Sequence, residues 1–460
     1  MKKIISFLMV IVLCLSTITL SSCDVMSHEL ENQVKTDIYD IYEELKVLTA
    51  ESEDEEDFIE AVKEYCSENE IKDIERSDLA VVLEKEKTAD EYDNKNIVYV
   101  ECDMDNREET CQLISIVMSA YKNVEENGFF RVIIAPKNNL SKLDEEYLKG
   151  DNFVDVVDIA KTVLYDGSAG TKVYEMTKDV TKKAPEGQVA FKIKISGLNE
   201  GDSGDRSEKH SNPIVVIGDF LSASRSAGIH VEMASFESDG KVNEYPTEAE
   251  AVVVIEKGSK TKFENRLLNA EESFKEKNKE RAPEAVFEFE NVELPKKVLD
   301  YDDTSCLLSL TYTLVDGIFA TTEEDYEGDV LGICTLANVE IEDDEIVLKS
   351  IGRYIDEETS KEMDNTFKMT CELSDFTVDI EDRYDVWMVD NNNPLVKSNV
   401  FKDGFEERDL EVKVRSSFVE TGCSIVNNIN KNMNMIILGT NINDSVISAL
   451  TLIDFLKYSV

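Results

Sequence analysis

Val189-Ala190-Phe191-Lys192-Ile193-Lys194-Ile195-Ser196, continuing as Gly197-Leu198-Asn199-Glu200-Gly201-Asp202-Ser203-Gly204, is the stretch on which the reading of this chain turns. Its first half alternates apolar and polar residues, the period of a strand with one face in a core and one toward water. Its second half is a glycine-punctuated loop. Nothing upstream alternates in this way. Leu79–Leu83, Ile97–Val100, Phe129–Ala135 and Phe153–Val157 are short apolar runs, the pattern of strands buried on both faces. Between them Cys111–Tyr121 is apolar on nearly every side, which predicts a buried helix. Lys35–Leu48 carries Ile38, Ile41, Tyr42, Leu45 and Leu48 at helical spacing. The acidic run Glu51–Asp57 opens a second helix with Phe58, Ala61, Val62 and Tyr65 on one face. Strands taking turns with helices predict an α/β domain with a mainly parallel sheet over residues 35–186.

Downstream the alternation persists. A helix is predicted at Pro213–Ala223 and a charged one at Lys260–Lys277. Strands are predicted at Ile229–Ser235, Ala249–Ile255, Phe287–Val292, Ser309–Val315, Gly332–Ile341 and Glu345–Ile351, with an amphipathic stretch at Glu358–Asp375. Residues 187–383 therefore read as an α+β domain with an antiparallel sheet, inserted into the first. From residue 384 to 460 the α/β character returns, with a strand at Asn434–Leu438 and a last helix at Ser445–Tyr458.

The composition fits two such domains. Of 460 residues 42% are hydrophobic and 8% aromatic, enough for sizeable cores and too much for wholesale disorder. Asp and Glu number 97 against 49 Lys and Arg, a net charge of −48 that repels phosphate backbones and excludes a nucleic-acid binder. Residues 1–22 read as a signal peptide: Lys2 and Lys3, then an apolar run from Ile4, then Leu20-Ser21-Ser22-Cys23. That last stretch resembles a bacterial lipobox, which implies diacylglycerol on Cys23, cleavage before it, and a short tether over residues 23–34. The expected location is the extracytoplasmic face of the cell membrane, held by the lipid. A plain secretory signal or an uncleaved anchor is the alternative. With Cys14 and Cys23 set aside, the seven remaining cysteines show no Cys-x-x-Cys spacing, which argues for buried small hydrophobes over a disulfide framework or zinc knuckle.

The loop at residues 196–204, followed by Lys209-His210-Ser211-Asn212, is similar to S-G-L-x-G-G-H-S-G…R-x-N, the signature that opens the lid domain of bacterial Xaa-His dipeptidases. These form the aminoacyl-histidine or cytosolic non-specific branch of the di-zinc metallopeptidases. Further motifs follow in order. Asn243-Glu244-Tyr245-Pro246 resembles N-x-I-P, Arg353 matches the first residue of R-S-S, Tyr384-Asp385-Val386-Trp387 resembles Y-P-G-W, and Ser416–Gly422 resembles H-A-G-L-E-C-G. The resemblance spans roughly residues 35–458. It implies a zinc-peptidase-like fold with an inserted lid domain that can mediate a homodimer.

The same resemblance implies two zinc ions on histidines and carboxylates, with a glutamate as base toward metal-bound water. Carried over position by position, that machinery is largely missing. The family's H-x-D reads Asp103-Met104-Asp105, so only Asp105 matches. Its paired glutamates fall on Lys137-Asn138, neither of which is a base at neutral pH. Asp158 matches a later aspartate ligand, and Glu420 lies in the H-A-G-L-E-C-G segment, whose histidine is Ser416 here. The lid histidine that would polarise the scissile carbonyl is Asp202, of opposite charge. The chain has three histidines, His28, His210 and His230, all outside these positions.

Two readings follow from the residues. In the first the chain is a pseudopeptidase without a cofactor, a membrane-anchored lipoprotein that binds a peptide, an amino acid or a protein partner. Arg353, at the position that grips a substrate carboxylate, and Asn243 would then be the ligand-binding groups. In the second it is an active dipeptidase toward Xaa-His or related dipeptides with an altered metal site. Asp103, Asp105, Asp158 and Glu420 would form an all-oxygen cluster suited to Ca²⁺, Mg²⁺ or Mn²⁺ rather than zinc. No nucleophile elbow, phosphate loop or His-Glu-x-x-His motif offers a different chemistry.

Overall fold

A computed structural model describes residues 28–457, apart from 72–78, 89–93, 105, 160, 205–209, 323–328, 343, 388–393, 398–399 and 412–413. Signal peptide, Cys23 and Asp105 lie outside the described residues. The chain divides into two compact units. Unit 1 holds residues up to 167 with 388–416 and 421–460, and unit 2 holds 168–387 with 417–420.

Unit 1 is built on a seven-stranded sheet in the order Val81–Lys85, Phe129–Ala135, Lys95–Glu101, Asn152–Asp158, Asn434–Thr440, Val163–Ser168, Val414–Ser417. The four strands from Phe129–Ala135 to Asn434–Thr440 are parallel, and antiparallel strands join them on each side. The apolar runs read as strands in the sequence are the interior of this sheet. Helix Arg107–Asn123 packs on it with every residue from Thr110 to Tyr121 buried except Gln112. Each buried Leu, Ile or Phe contributes about 1.5–3 kcal/mol, so the apolar residues packed on this sheet carry the unit's stability. Polar groups fix the rest. Lys85 Nζ donates to the carbonyls of Tyr121 (2.6 Å) and Val124 (3.2 Å), satisfying acceptors that the end of helix Arg107–Asn123 leaves without helical donors. Asp37, on the helix of residues 28–48, accepts from Lys122 Nζ at 2.8 Å and Asn123 Nδ2 at 2.7 Å, tying that helix to the same end.

Among the described residues of unit 2 all strand pairing is antiparallel. One four-stranded sheet runs Val286–Val292, Val189–Ser196, Ala249–Ile255, Val231–Ser238. A five-stranded one runs Gly317–Thr321, Val330–Ile341, Glu345–Tyr354, Gly170–Asp179, Thr377–Tyr384. The alternation of Val189–Ser196 has its expected cause. Phe191, Ile193 and Ile195 enter the core, while Lys192 and Lys194 pair with Glu250 and Glu248 on the other face. Helix Pro213–Ser226 starts where Asn212 Oδ1 accepts from Ile214 N at 3.0 Å, with Pro213 in the first turn.

Two expectations are corrected here. The second unit begins at 168 rather than 187, because Gly170–Asp179 is the strand between Glu345–Tyr354 and Thr377–Tyr384 in its five-stranded sheet. Ser309–Val315 is not a strand; residues Tyr301–Thr313 form a helix. Asp300 caps it by accepting from Asp303 N at 2.7 Å, and Leu307, Leu308, Leu310 and Thr311 are its buried face. The β-branched Thr311 and Thr313 disguised a helix whose start signal lay nine residues upstream of the predicted strand. Among the described residues no helix is long and apolar enough to cross a membrane.

Candidate functional site

In an open parallel sheet, ligands bind at the carboxyl ends of the strands where the chain reverses its direction of travel across the sheet. In unit 1 that point lies between Lys95–Glu101 and Asn152–Asp158. The chain leaves the first strand for Phe129–Ala135 on one side and returns for Asn152–Asp158 on the other. Asp103, Lys137 and Asp158, which the sequence singles out, stand at these strand ends, together with Glu101, which it does not.

Their partners decide what they can do. Lys137 opens the short helix Lys137–Leu140 and sets Nζ 3.3 Å from Glu101 Oε2. Asn138 beside it is exposed. Asp103 precedes helix Arg107–Asn123, where its carboxylate accepts from Asn106 Nδ2 at 2.8 Å and its backbone N–H reaches Thr110 Oγ1 at 3.2 Å. The Asp158 carboxyl is raised by desolvation and by the charge of Glu109. Ser416, one residue from the end of strand Val414–Ser417, is half-buried.

Beneath these groups lies a residue that sequence reading overlooked. Asp155 is fully buried in the strand Asn152–Asp158, beside Tyr99 in the neighbouring strand. Its Oδ2 accepts from Cys423 N at 3.3 Å, at the start of helix Gly422–Ile429, while Oδ1 is buried without a hydrogen-bond partner. Gly422 is required there: a Cβ would lie 2.5 Å from the Tyr99 ring and 3.0 Å from Asp155 Oδ2. Burial first, and then the charge of Glu101, push the Asp155 carboxyl up to about 7, although Lys137 and the helix amides pull the other way. The signal available in the sequence was an aspartate inside an otherwise apolar run, Phe153-Val154-Asp155-Val156-Val157.

Unit 2 gathers the remaining candidates into one network. Arg353, in strand Glu345–Tyr354, is 1% exposed and is the largest side chain buried to that degree. Its Nη1 donates to Ser203 Oγ at 2.9 Å, and its Nη2 lies 3.0 Å from Asp202 Oδ1. Ser203 in turn bonds the Asn243 carbonyl through both its N–H (2.8 Å) and its hydroxyl (3.0 Å). The Asn243 side chain is committed at both ends, donating to Glu420 Oε2 at 2.9 Å and accepting from Arg383 Nη1 at 3.0 Å. Gly204 must be glycine, since a Cβ would meet Phe418 O at 2.2 Å and Arg353 Nη1 at 2.8 Å.

Among the described residues no three His, Cys, Asp or Glu side chains converge to hold a metal. Asp103 is engaged by Asn106 and Glu420 by Asn243, and Asp105 lies outside the described residues. Arg353 is engaged by Asp202 and Ser203, and the Asn243 side chain by Glu420 and Arg383.

No family model matches the chain, and no curated protein matches it. Among solved structures it is similar to aminoacylhistidine dipeptidase from Vibrio alginolyticus, at 15% identity and a TM-score of 0.63, over 92% of this chain and 96% of that one. It is also similar to an aminopeptidase from Bacillus cereus (9% identity, TM-score 0.47, 92% and 98% of the chains). A tripeptidase from Staphylococcus aureus gives 12% identity and a TM-score of 0.45 over 92% and 97%. The first of these likenesses establishes the fold: an α/β unit with a mostly parallel central sheet, and separate antiparallel sheets like those of a peptidase with a lid. The residues at the strand ends do not fit the zinc pair that the resemblance implies. No histidine stands there, and Lys137 brings a fixed positive charge to Glu101.

Proposed function

We propose that this chain is a lipid-anchored extracytoplasmic protein that keeps a dipeptidase fold without dipeptide hydrolysis and acts by binding a partner. The observation that carries this reading is the Lys137–Glu101 ion pair at the switch point of the sheet. Metal-assisted hydrolysis needs a cation that accepts water as a ligand and lowers its pKa, together with a carboxylate free to take the proton. An ammonium accepts no water as a ligand and has no lone pair with which to take a proton. It instead neutralises the carboxylate beside it. The internal commitment of Arg353 and Asn243 favours a protein surface as the partner over capture of a free amino acid.

The test is an assay of purified residues 24–460 on a dipeptide panel that includes Xaa-His, with Zn²⁺, Mn²⁺ or Co²⁺ added. No turnover above blank is the expected result. Turnover that Asp105→Ala or Glu420→Ala abolishes would overturn the reading and restore a metal site. Anchoring is tested separately. Cys23→Ser is expected to move the full-length protein from the detergent phase to the aqueous phase on phase partitioning, and retention of the variant in the detergent phase would exclude a lipid on Cys23.

A further inference from the structure

We infer that unit 2 is one module present twice, and that its two copies, by pairing with each other, occupy the surface on which a second chain would dock. The first copy runs strand Val189–Ser196, helix Pro213–Ser226, strands Val231–Ser238 and Ala249–Ile255, helix Lys260–Asn278 and strand Val286–Val292. The second runs strand Gly170–Asp179, helix Tyr301–Thr313, strands Val330–Ile341 and Glu345–Tyr354, helix Glu357–Leu373 and strand Thr377–Tyr384. Element order is the same in both, and so is the order across the sheet: fourth strand, first, third, second. The second copy adds one short strand, Gly317–Thr321, beside Val330–Ile341. The first copy is inserted into the second just after its opening strand. The antiparallel pair Lys182–Lys183 and Val298–Leu299 closes the neck where the chain leaves and returns.

Between the copies, like faces like. The second strands, Val231–Ser238 and Val330–Ile341, lie against each other, and so do the first helices, Pro213–Ser226 and Tyr301–Thr313. Contact between equivalent elements is what a twofold axis produces, so the junction has the form of an isologous dimer interface built within one chain. The approach is close. A Cβ on Gly218 would lie 2.9 Å from Thr311 Oγ1 on the facing helix, and one on Gly240 would lie 1.7 Å from Ala337 O. Ser222 Oγ donates to Leu308 O at 3.3 Å, Val339 N to Ser238 Oγ at 3.2 Å and Asn338 Nδ2 to Gly240 O at 3.3 Å. Ile217 and Leu221 from one copy and Leu307 and Leu310 from the other are fully buried in a single core. The outward edge of each copy is its fourth strand, and both edges carry exposed acids: Glu288 and Glu290 on one, Asp379, Glu381 and Asp382 on the other. Carboxylates on an edge oppose strand addition, above all by a second copy of the same edge. The chain is therefore a monomer, in place of the homodimer that the family resemblance implies. This holds whether or not the protein hydrolyses anything.

The test is the mass of residues 24–460 in solution, measured by light scattering during size-exclusion chromatography over about a hundredfold range of concentration. The mass of one chain throughout is the expected result, and the mass of two chains would overturn the inference. Gly218→Leu then sets a wedge against Thr311 between the two first helices. The variant is expected to melt roughly 3–10 °C lower, and its mass to rise with concentration toward two chains as the released surfaces pair between molecules. A variant that stays one chain at every concentration would show that this junction is not a self-docking surface. Should Gly218→Leu fail to accumulate as folded protein, Gly218→Ala carries the same comparison with a smaller shift in melting, and the mass of the unaltered chain still decides the first outcome.

Discussion

An alanine at position 353 is expected to destabilise the protein by about 4 kcal/mol, lowering the melting transition of unit 2 by roughly 8–16 °C. Two losses add. Arg353 is the largest side chain with less than 2% exposure, so truncation opens a cavity of the kind that costs about 3–5 kcal/mol for large buried residues. Ser203 also loses its Nη1 donor, and Asp202 loses the cation 3.0 Å away. Part of that second loss is recovered, because Asp202 is 26% exposed and can turn to water. Arg353→Met separates the two. Methionine fills most of the volume and removes Nε and Nη2, which are buried without hydrogen bonds, so about half the loss should remain. Urea unfolding followed by circular dichroism measures both variants. A change below about 1 kcal/mol for Arg353→Ala would show that this arginine is not part of what holds the loop at Asp202–Gly204 in place.

How far the sequence could be read follows from which signals are local. Buried strands such as Phe129–Ala135 and the alternating Val189–Ser196 declare themselves through periodicity, which depends only on neighbours along the chain, and the structure returns both with the same bounds. Gly170–Asp179 was missed because five of its first six residues are buried amid polar ones, Thr171, Lys172 and Glu175 among them, with no clean period. Lys172 is held there by Asp364 at 2.9 Å, a partner 192 residues away that no window can see. The same limit applied at the site. Asp202 and Arg353 were each legible as a departure from, and a match to, a family pattern. That they face one another is a fact of three dimensions, and it changes the meaning of both. Asp155 was legible only as an anomaly, a charge in an apolar strand. Its partner, the amide of Cys423, comes from 268 residues downstream.

Replacing Asp155 with asparagine is expected to make stability less sensitive to pH, with the variant the more stable protein above pH 7. In the unfolded chain this carboxyl titrates at its ordinary 3.8, and in the folded one burial carries it up to about 7. Between those values the folded state holds a proton that the unfolded state has released, so unfolding sheds a proton and stability falls as pH rises through the window. The contribution is fully present below about 3.8 and gone above about 7. A shift near three units corresponds to a loss of the order of 4 kcal/mol at neutral pH relative to acid. Asparagine keeps an oxygen for the amide of Cys423 and places a neutral group where Oδ1 has no partner, so it removes the buried charge without emptying the site. The measurement is urea unfolding of both proteins at half-unit steps from pH 4.5 to 8.5, followed as the difference between them. That difference should grow in favour of the variant up to about pH 7 and then level. A difference that stays constant with pH would mean that Asp155 is ionised throughout, with Lys137 rather than a proton as its counter-charge. In that case a Lys137→Met variant should unfold far more readily at pH 8 than at pH 5.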